Sequence, residues 1–71
     1  MITPEQSRAA RGILRWTVRD LADRANLAVS TVNRFEVGKG IATPANRDAI
    51  GRALSEGGVE FGPDGSVRRA G

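Results

Sequence analysis

Apolar and polar residues recur with helical spacing in four stretches, and then the period changes to two. The first stretch opens with Thr3-Pro4-Glu5-Gln6, where Thr3 is a good N-cap, Pro4 suits the first helical position and Gln6 completes a capping box. Ala9, Ala10, Ile13 and Leu14 then predict one apolar stripe. Gly12 interrupts this helix at about 1 kcal/mol relative to alanine, and its missing side chain offers room for close packing. The second stretch begins at Thr17-Val18-Arg19-Asp20. Thr17 caps, Asp20 returns the bond, and Trp16 is placed to staple onto Leu21. Val18, Leu21, Ala22 and Ala25 form its apolar face. Asn26 suits the left-handed conformation of a sharp turn that Leu27 and Ala28 complete.

The third helix is predicted over Val29–Val37, with Val32 and Phe35 inward and Gly38 and Gly40 as stops. Val29, Ser30, Asn33, Arg34 and Val37 fall together on the opposite face. Ser30 is a better capping residue than Ala28, and a cap there would start the helix two residues later. Thr43-Pro44 repeats the cap-then-proline signal. Ala49, Ile50, Ala53 and Leu54 supply the stripe of a fourth helix, which Gly57-Gly58 ends. Beyond it Val59-Glu60-Phe61 alternates, Gly62-Pro63-Asp64-Gly65 is rich in turn formers, and Ser66 to Arg69 can return as a strand. A short hairpin or a loose tail both fit. Two regions follow: a helical domain over 1–58, and a C-terminal strand, hairpin or tail over 59–71.

Composition narrows the chemistry. The chain has 71 residues with no Cys and no His. Disulfides, Cys/His zinc sites, cysteine nucleophiles and histidine acid–base catalysis are excluded. A domain of this size buries only about 60% of its unfolded surface, so it needs dense helical packing or a second copy of itself. The carboxylates are scattered among arginines, and no glycine-rich phosphate loop or metal-ligand cluster occurs, so no enzyme, cofactor or metal is expected. So short a chain also leaves little room for a small-molecule pocket. Lys and Arg number 11 against 8 Asp and Glu, a net charge of +3. Residues 1–35 hold six Arg against Glu5, Asp20 and Asp23, while residues 36–71 carry five charges of each sign. The excess in the first half points to an anionic partner docking there. No apolar run approaches a membrane span and no signal-peptide core follows Met1, so a soluble cytoplasmic protein is expected.

The second and third helices, about residues 17–37, have the shape of a helix-turn-helix unit. Ala22 is small at the helix crossing, Leu27 is apolar in the turn, and Val32 and Phe35 form the underside. By spacing alone an ordinary antiparallel helix pair in a small bundle fits too. The wider pattern is more specific: Arg11, Leu14-Arg15-Trp16-Thr17, Leu21-Ala22-Asp23-Arg24-Ala25, Thr31-Val32, Phe35-Glu36-Val37-Gly38-Lys39, Thr43-Pro44, and Ile50 to Leu54. With these residues the chain resembles the Cro/repressor family of helix-turn-helix proteins, also called the xenobiotic-response-element family, over about residues 4–61.

The resemblance implies an all-α, lambda-repressor-like domain of four or five helices that binds double-stranded DNA as a homodimer. It implies an ion pair between Arg11 and Glu36, and by family position it makes Val29, Ser30 and Arg34 direct base readers. Arg is the preferred reader of guanine, Asn33 can bond adenine, and Val can meet a thymine methyl. Arg15, Thr17, Arg19 and Lys39 are the candidate phosphate contacts, Thr17 through its hydroxyl and the positive end of the second helix. Leu54 and the Val59–Val67 segment are candidate dimer surfaces. The chain departs from its relatives at Val18, where a polar brace is usual, at the uncapped Ala28, at Val37, and at Arg47 in place of a buried Leu. The expected function is a sequence-specific transcriptional regulator, acting as a repressor. The alternative is an antitoxin- or anti-repressor-like protein-interaction module on the same fold.

Overall fold

Threonine hydroxyls start three of the four helices found among the described residues, 1–39 and 42–71, of the computed structural model. The helices are α1 (Pro4–Leu14), α2 (Val18–Ala25), α3 (Val29–Glu36) and α4 (Pro44–Gly57); an antiparallel hairpin of β1 (Val59–Phe61) and β2 (Val67–Arg69) follows. Thr3 Oγ1 accepts from the Gln6 amide at 3.1 Å while Gln6 Oε1 accepts from the Thr3 amide at 2.8 Å. Thr17 and Asp20 make the same reciprocal pair at 3.0 and 2.9 Å, and Thr43 accepts from the Asn46 amide at 3.1 Å. α3 is the exception. Its N-cap is Ala28 with no side-chain bond, so Ser30 lies in the first turn and caps nothing. The helix closes at Glu36, with Val37 as C-cap, one residue earlier than the pattern predicts. Gly38, at φ +76°, turns the chain away there; the second expected stop, Gly40, lies outside the described residues.

The turn between α2 and α3 is made by Asn26 at φ 58°, ψ 44°, and the Leu27 amide reaches back to the Ala22 carbonyl at 2.9 Å. This left-handed exit bends the chain so that α2 and α3 pack on each other and on one core. Ala10 from α1, Leu21 and Ala22 from α2, Val32 and Phe35 from α3, Ile50, Ala53 and Leu54 from α4, and Val59 from β1 are all buried in it. The expected inward role of Ala9 is corrected: Ala9 is exposed, and the inner line of α1 runs through Ser7, Ala10 and Leu14 instead. Ser7 can take an inward place because it finds a buried acceptor, described below.

Gly12 serves no packing need either, since a Cβ there would meet nothing within 4 Å. Gly12→Ala is therefore expected to stabilise the fold by about 0.5–1 kcal/mol through helix propensity alone. Thermal unfolding checks this, and a lowered melting temperature would contradict it. Gly57 is the opposite case. The Trp16 ring lies where a side chain at Gly57 would sit, and the Arg24 guanidinium stacks on that ring 4.9 Å from its centre.

The C-terminal segment is a formed hairpin in the register Val59↔Arg69, Glu60↔Arg68, Phe61↔Val67. The Gly62 amide donates to Ser66 O at 2.8 Å, and the Ser66 amide donates to Asp64 Oδ1 at 3.1 Å. Hydrogen bonds from Ser66 hold the Asp64 carboxyl below its ordinary range. Arg69 Nη2 donates to the Ile13 carbonyl at 2.6 Å and Gln6 Nε2 to Gly65 O at 3.2 Å, which tie the hairpin to both ends of α1. Val59 is buried, with Phe61 and Val67 partly buried beside it, so the hairpin closes one end of the core. This corrects part of the dimer-surface expectation. Leu54 and Val59 are used up inside the protomer and are inaccessible to a second copy. No helix among the described residues is long and apolar enough to cross a membrane.

Candidate nucleic-acid interface

Burial of Val32 and Phe35 fixes the rotation of α3 and leaves Val29, Ser30, Asn33, Arg34 and Val37 exposed together. Val29 is 39% and Val37 55% exposed, large values for branched apolar side chains. The face carries no carboxylate, because the helix's one acid, Glu36, is buried. Arg34 has no carboxylate within 4.0 Å among the described residues. The Lys39 amide donates to the Arg34 carbonyl at 3.0 Å, and both side chains border a shallow recess of about 180 Å³ shared with Thr43 and Asn46 at the start of α4. Lys39 is thus brought beside Arg34.

Arg15, Thr17 and Arg19 stand exposed around the corner between α1 and α2. Arg15 is the C-cap of α1 in the left-handed region, at φ 59° and ψ 38°, an uncommon conformation for an arginine. Thr17 is less open to an anion than its position suggests. Its backbone N–H already donates to Asp20 Oδ2 at 2.9 Å, which puts a carboxylate at the positive end of α2. The hydroxyl accepts from the Asp20 amide, and its own hydrogen stays free to donate. A capping box and a bound phosphate would compete for the same donors, which leaves Arg15 and Arg19 as the exposed cations of this corner.

The two regions are joined through one buried carboxylate. Arg11 Nε donates to Glu36 Oε1 and Oε2 at 3.0 and 2.9 Å, and Arg11 Nη2 to Oε1 at 2.6 Å. The Glu36 side chain is only 3% exposed. Ser7 Oγ, itself buried, donates to Oε2 at 2.5 Å, and Arg8 Nη1 donates to the Glu36 backbone carbonyl. Arg11 Nη1 also donates to the Trp16 carbonyl at 3.0 Å, the residue just before Thr17. One guanidinium thus sets the end of α3 and the start of α2 relative to α1. The bond to Glu36 raises the Arg11 pKa above its already high ordinary value, so the guanidinium stays charged at any ordinary pH.

Ser7 and Arg8 were not among the sequence candidates. Their one local signal is that Ser7 and Arg11 are four apart and share a helix face. Arg47 also takes an unexpected place. It is half-buried, its guanidinium lies 5.7 Å from the centre of the Phe35 ring, and Nη2 donates to the Ile2 carbonyl at 3.1 Å. Among the described residues no group of His, Cys, Asp and Glu is arranged to hold a metal. Neither a protein-family model nor a characterised protein matches the chain.

Proposed function

We propose that this chain is a sequence-specific double-stranded DNA-binding transcriptional regulator that lays α3 in the major groove and represses by occupancy, with no catalytic step. The observation that carries the reading is the outward face of α3: exposed, free of carboxylates, and held at its far end by the Ser7–Arg11–Glu36 cluster. A rigid helix with short polar and branched side chains near its start and one arginine a turn later fits base-edge readout. In this scheme Arg34 bonds guanine O6 and N7, Asn33 bonds adenine, Ser30 takes either, and Val29 meets a thymine methyl. Arg15, Arg19, the Thr17 hydroxyl and Lys39 hold phosphates on either side. One α3 covers only a few base pairs, so two copies act on a palindrome with half-sites about 10 bp apart. With Val59 buried in β1, the exposed second strand, at Arg68 and Arg69, is the part of the hairpin left for pairing across a two-fold axis.

Selection of bound sequences from random duplex DNA tests the reading. A palindrome of that spacing supports it, and no enrichment at moderate salt overturns it. On the selected site, Arg34→Ala is expected to lose ~1–3 kcal/mol and relax one base position, as read by titration against single-base variants. A uniform loss across all sequences would make Arg34 a phosphate contact instead.

A further inference from the structure

We infer that Val37 is a second specificity-determining residue beside Val29, and that the two valines select duplex DNA by the 5-methyl groups of its pyrimidines, on thymine or on 5-methylcytosine alike. This rests on the reading that α3 enters the major groove, and it names what the groove must present there.

Apolar surface is left over in one place. Of the Val, Ile, Leu, Phe and Trp side chains among the described residues, all lie in the core or pack against it except Val29 and Val37. Val29 is the first residue of α3 and Val37 its C-cap. With about 100° and 1.5 Å per helical residue, Val37 stands about 80° round the axis from Val29 and about 12 Å further along. That angle falls between Asn33 at about 40° and Arg34 at about 140°, in the middle of the outward face.

The fold makes no use of a valine at this position. The end of α3 is closed by main-chain bonds, from the amides of Val37, Gly38 and Lys39 to the carbonyls of Asn33, Phe35 and Arg34 at 3.0, 3.1 and 3.0 Å. The Val37 side chain contributes to none of them, and more than half of its surface stays open.

Charge decides what covers it. Arg34 lies one helical turn before Val37, Lys39 follows it, and the face holds no carboxylate, which favours a polyanion over an apolar protein surface. Among the base edges of the major groove the one apolar group is the pyrimidine 5-methyl. An exposed branched side chain set among cations fits that combination. The 12 Å or so from Val29 to Val37 does not exceed the groove width of about 12 Å, so both reach the floor and meet different base pairs. Valine has no hydrogen-bonding atom, so it senses the methyl group and ignores the oxygen or amine beside it.

The test is a fluorescence-anisotropy titration of the full chain on the duplex chosen by selection. Each pyrimidine of one half-site is changed in turn among thymine, uracil, cytosine and 5-methylcytosine. Thymine against uracil, and 5-methylcytosine against cytosine, differ by the methyl group alone. At two positions its removal should weaken binding about fourfold in both comparisons, the worth of one buried methyl. Val37→Ala should melt where the parent does and abolish the difference at one of these positions, and Val29→Ala at the other. A site with no methyl effect, with an effect at one position only, or with both effects intact in Val37→Ala would overturn the inference and leave α3 in the groove. Loss of self-association in Val37→Ala with the methyl effects unchanged would do the same, making the valine a contact between copies. If selection enriches no site, the DNA reading fails and this inference falls with it.

Discussion

Arg11→Ala is expected to destabilise the domain by about 3–5 kcal/mol, because it strands a buried carboxylate. Glu36 would keep only the Ser7 hydroxyl as a side-chain donor. A chain of 71 residues has on the order of 4–10 kcal/mol of stability in total, so the variant sits near the edge of folding at room temperature. The same loss frees the Trp16 carbonyl and so loosens the corner at which Arg15, Thr17 and Arg19 stand. A buried ion pair contributes little net stability against an apolar replacement of matched shape. Combining Arg11→Met with Glu36→Leu and Ser7→Ala should therefore recover most of the loss. Urea unfolding of the single and triple variants checks both statements. A single-variant cost under about 1 kcal/mol would mean that water reaches the carboxylate and that the pair is merely a surface one.

Leu54→Ala should cost a comparable ~2–5 kcal/mol, the transfer free energy of the lost side chain plus the cavity left behind. Leu54, on α4, is completely buried in the same core cluster as Ile50 and, from the hairpin's first strand, Val59. The loss belongs to the protomer, so the shift in unfolding midpoint should be the same at low and high protein concentration. A midpoint shift that vanishes on dilution would instead place Leu54 between two copies. The two readings of this residue differ only in what covers it. An apolar residue at the end of a helical stripe announces that it needs cover, and a hairpin from the same chain meets that need as well as a partner does.

The same reasoning marks how far the sequence could be read. Caps are made between residues three apart, so Thr3 with Gln6 and Thr17 with Asp20 were legible as written, and so was the glycine stop after α4, while the segment beyond it read equally as a hairpin or a loose tail. The rotation of α3 was legible because Val32 and Phe35 leave only one face for Val29, Ser30, Asn33 and Arg34. Ala9 misled because alanine suits either side of a helix, and the inward position went to Ser7, whose acceptor lies 29 residues away. Contacts at that separation leave no local trace. Arg47 is the same kind of case. A long stem can lie over a core ring while its head reaches the edge, and nothing in the neighbouring sequence announces the ring. Arg15 was legible as a charge and illegible as a backbone conformation, since arginine has no preference for a left-handed turn.

Ala28 gives the start of α3 its most consequential property. A Ser, Thr or Asp there would add about 1 kcal/mol by bonding the first amides of the helix, as Thr3, Thr17 and Thr43 do for theirs. The helix proposed to meet DNA is the one whose leading amides no side chain occupies. A restored cap is expected to give a sturdier domain and, in the proposed scheme, to leave fewer free amides at the start of the helix that meets DNA.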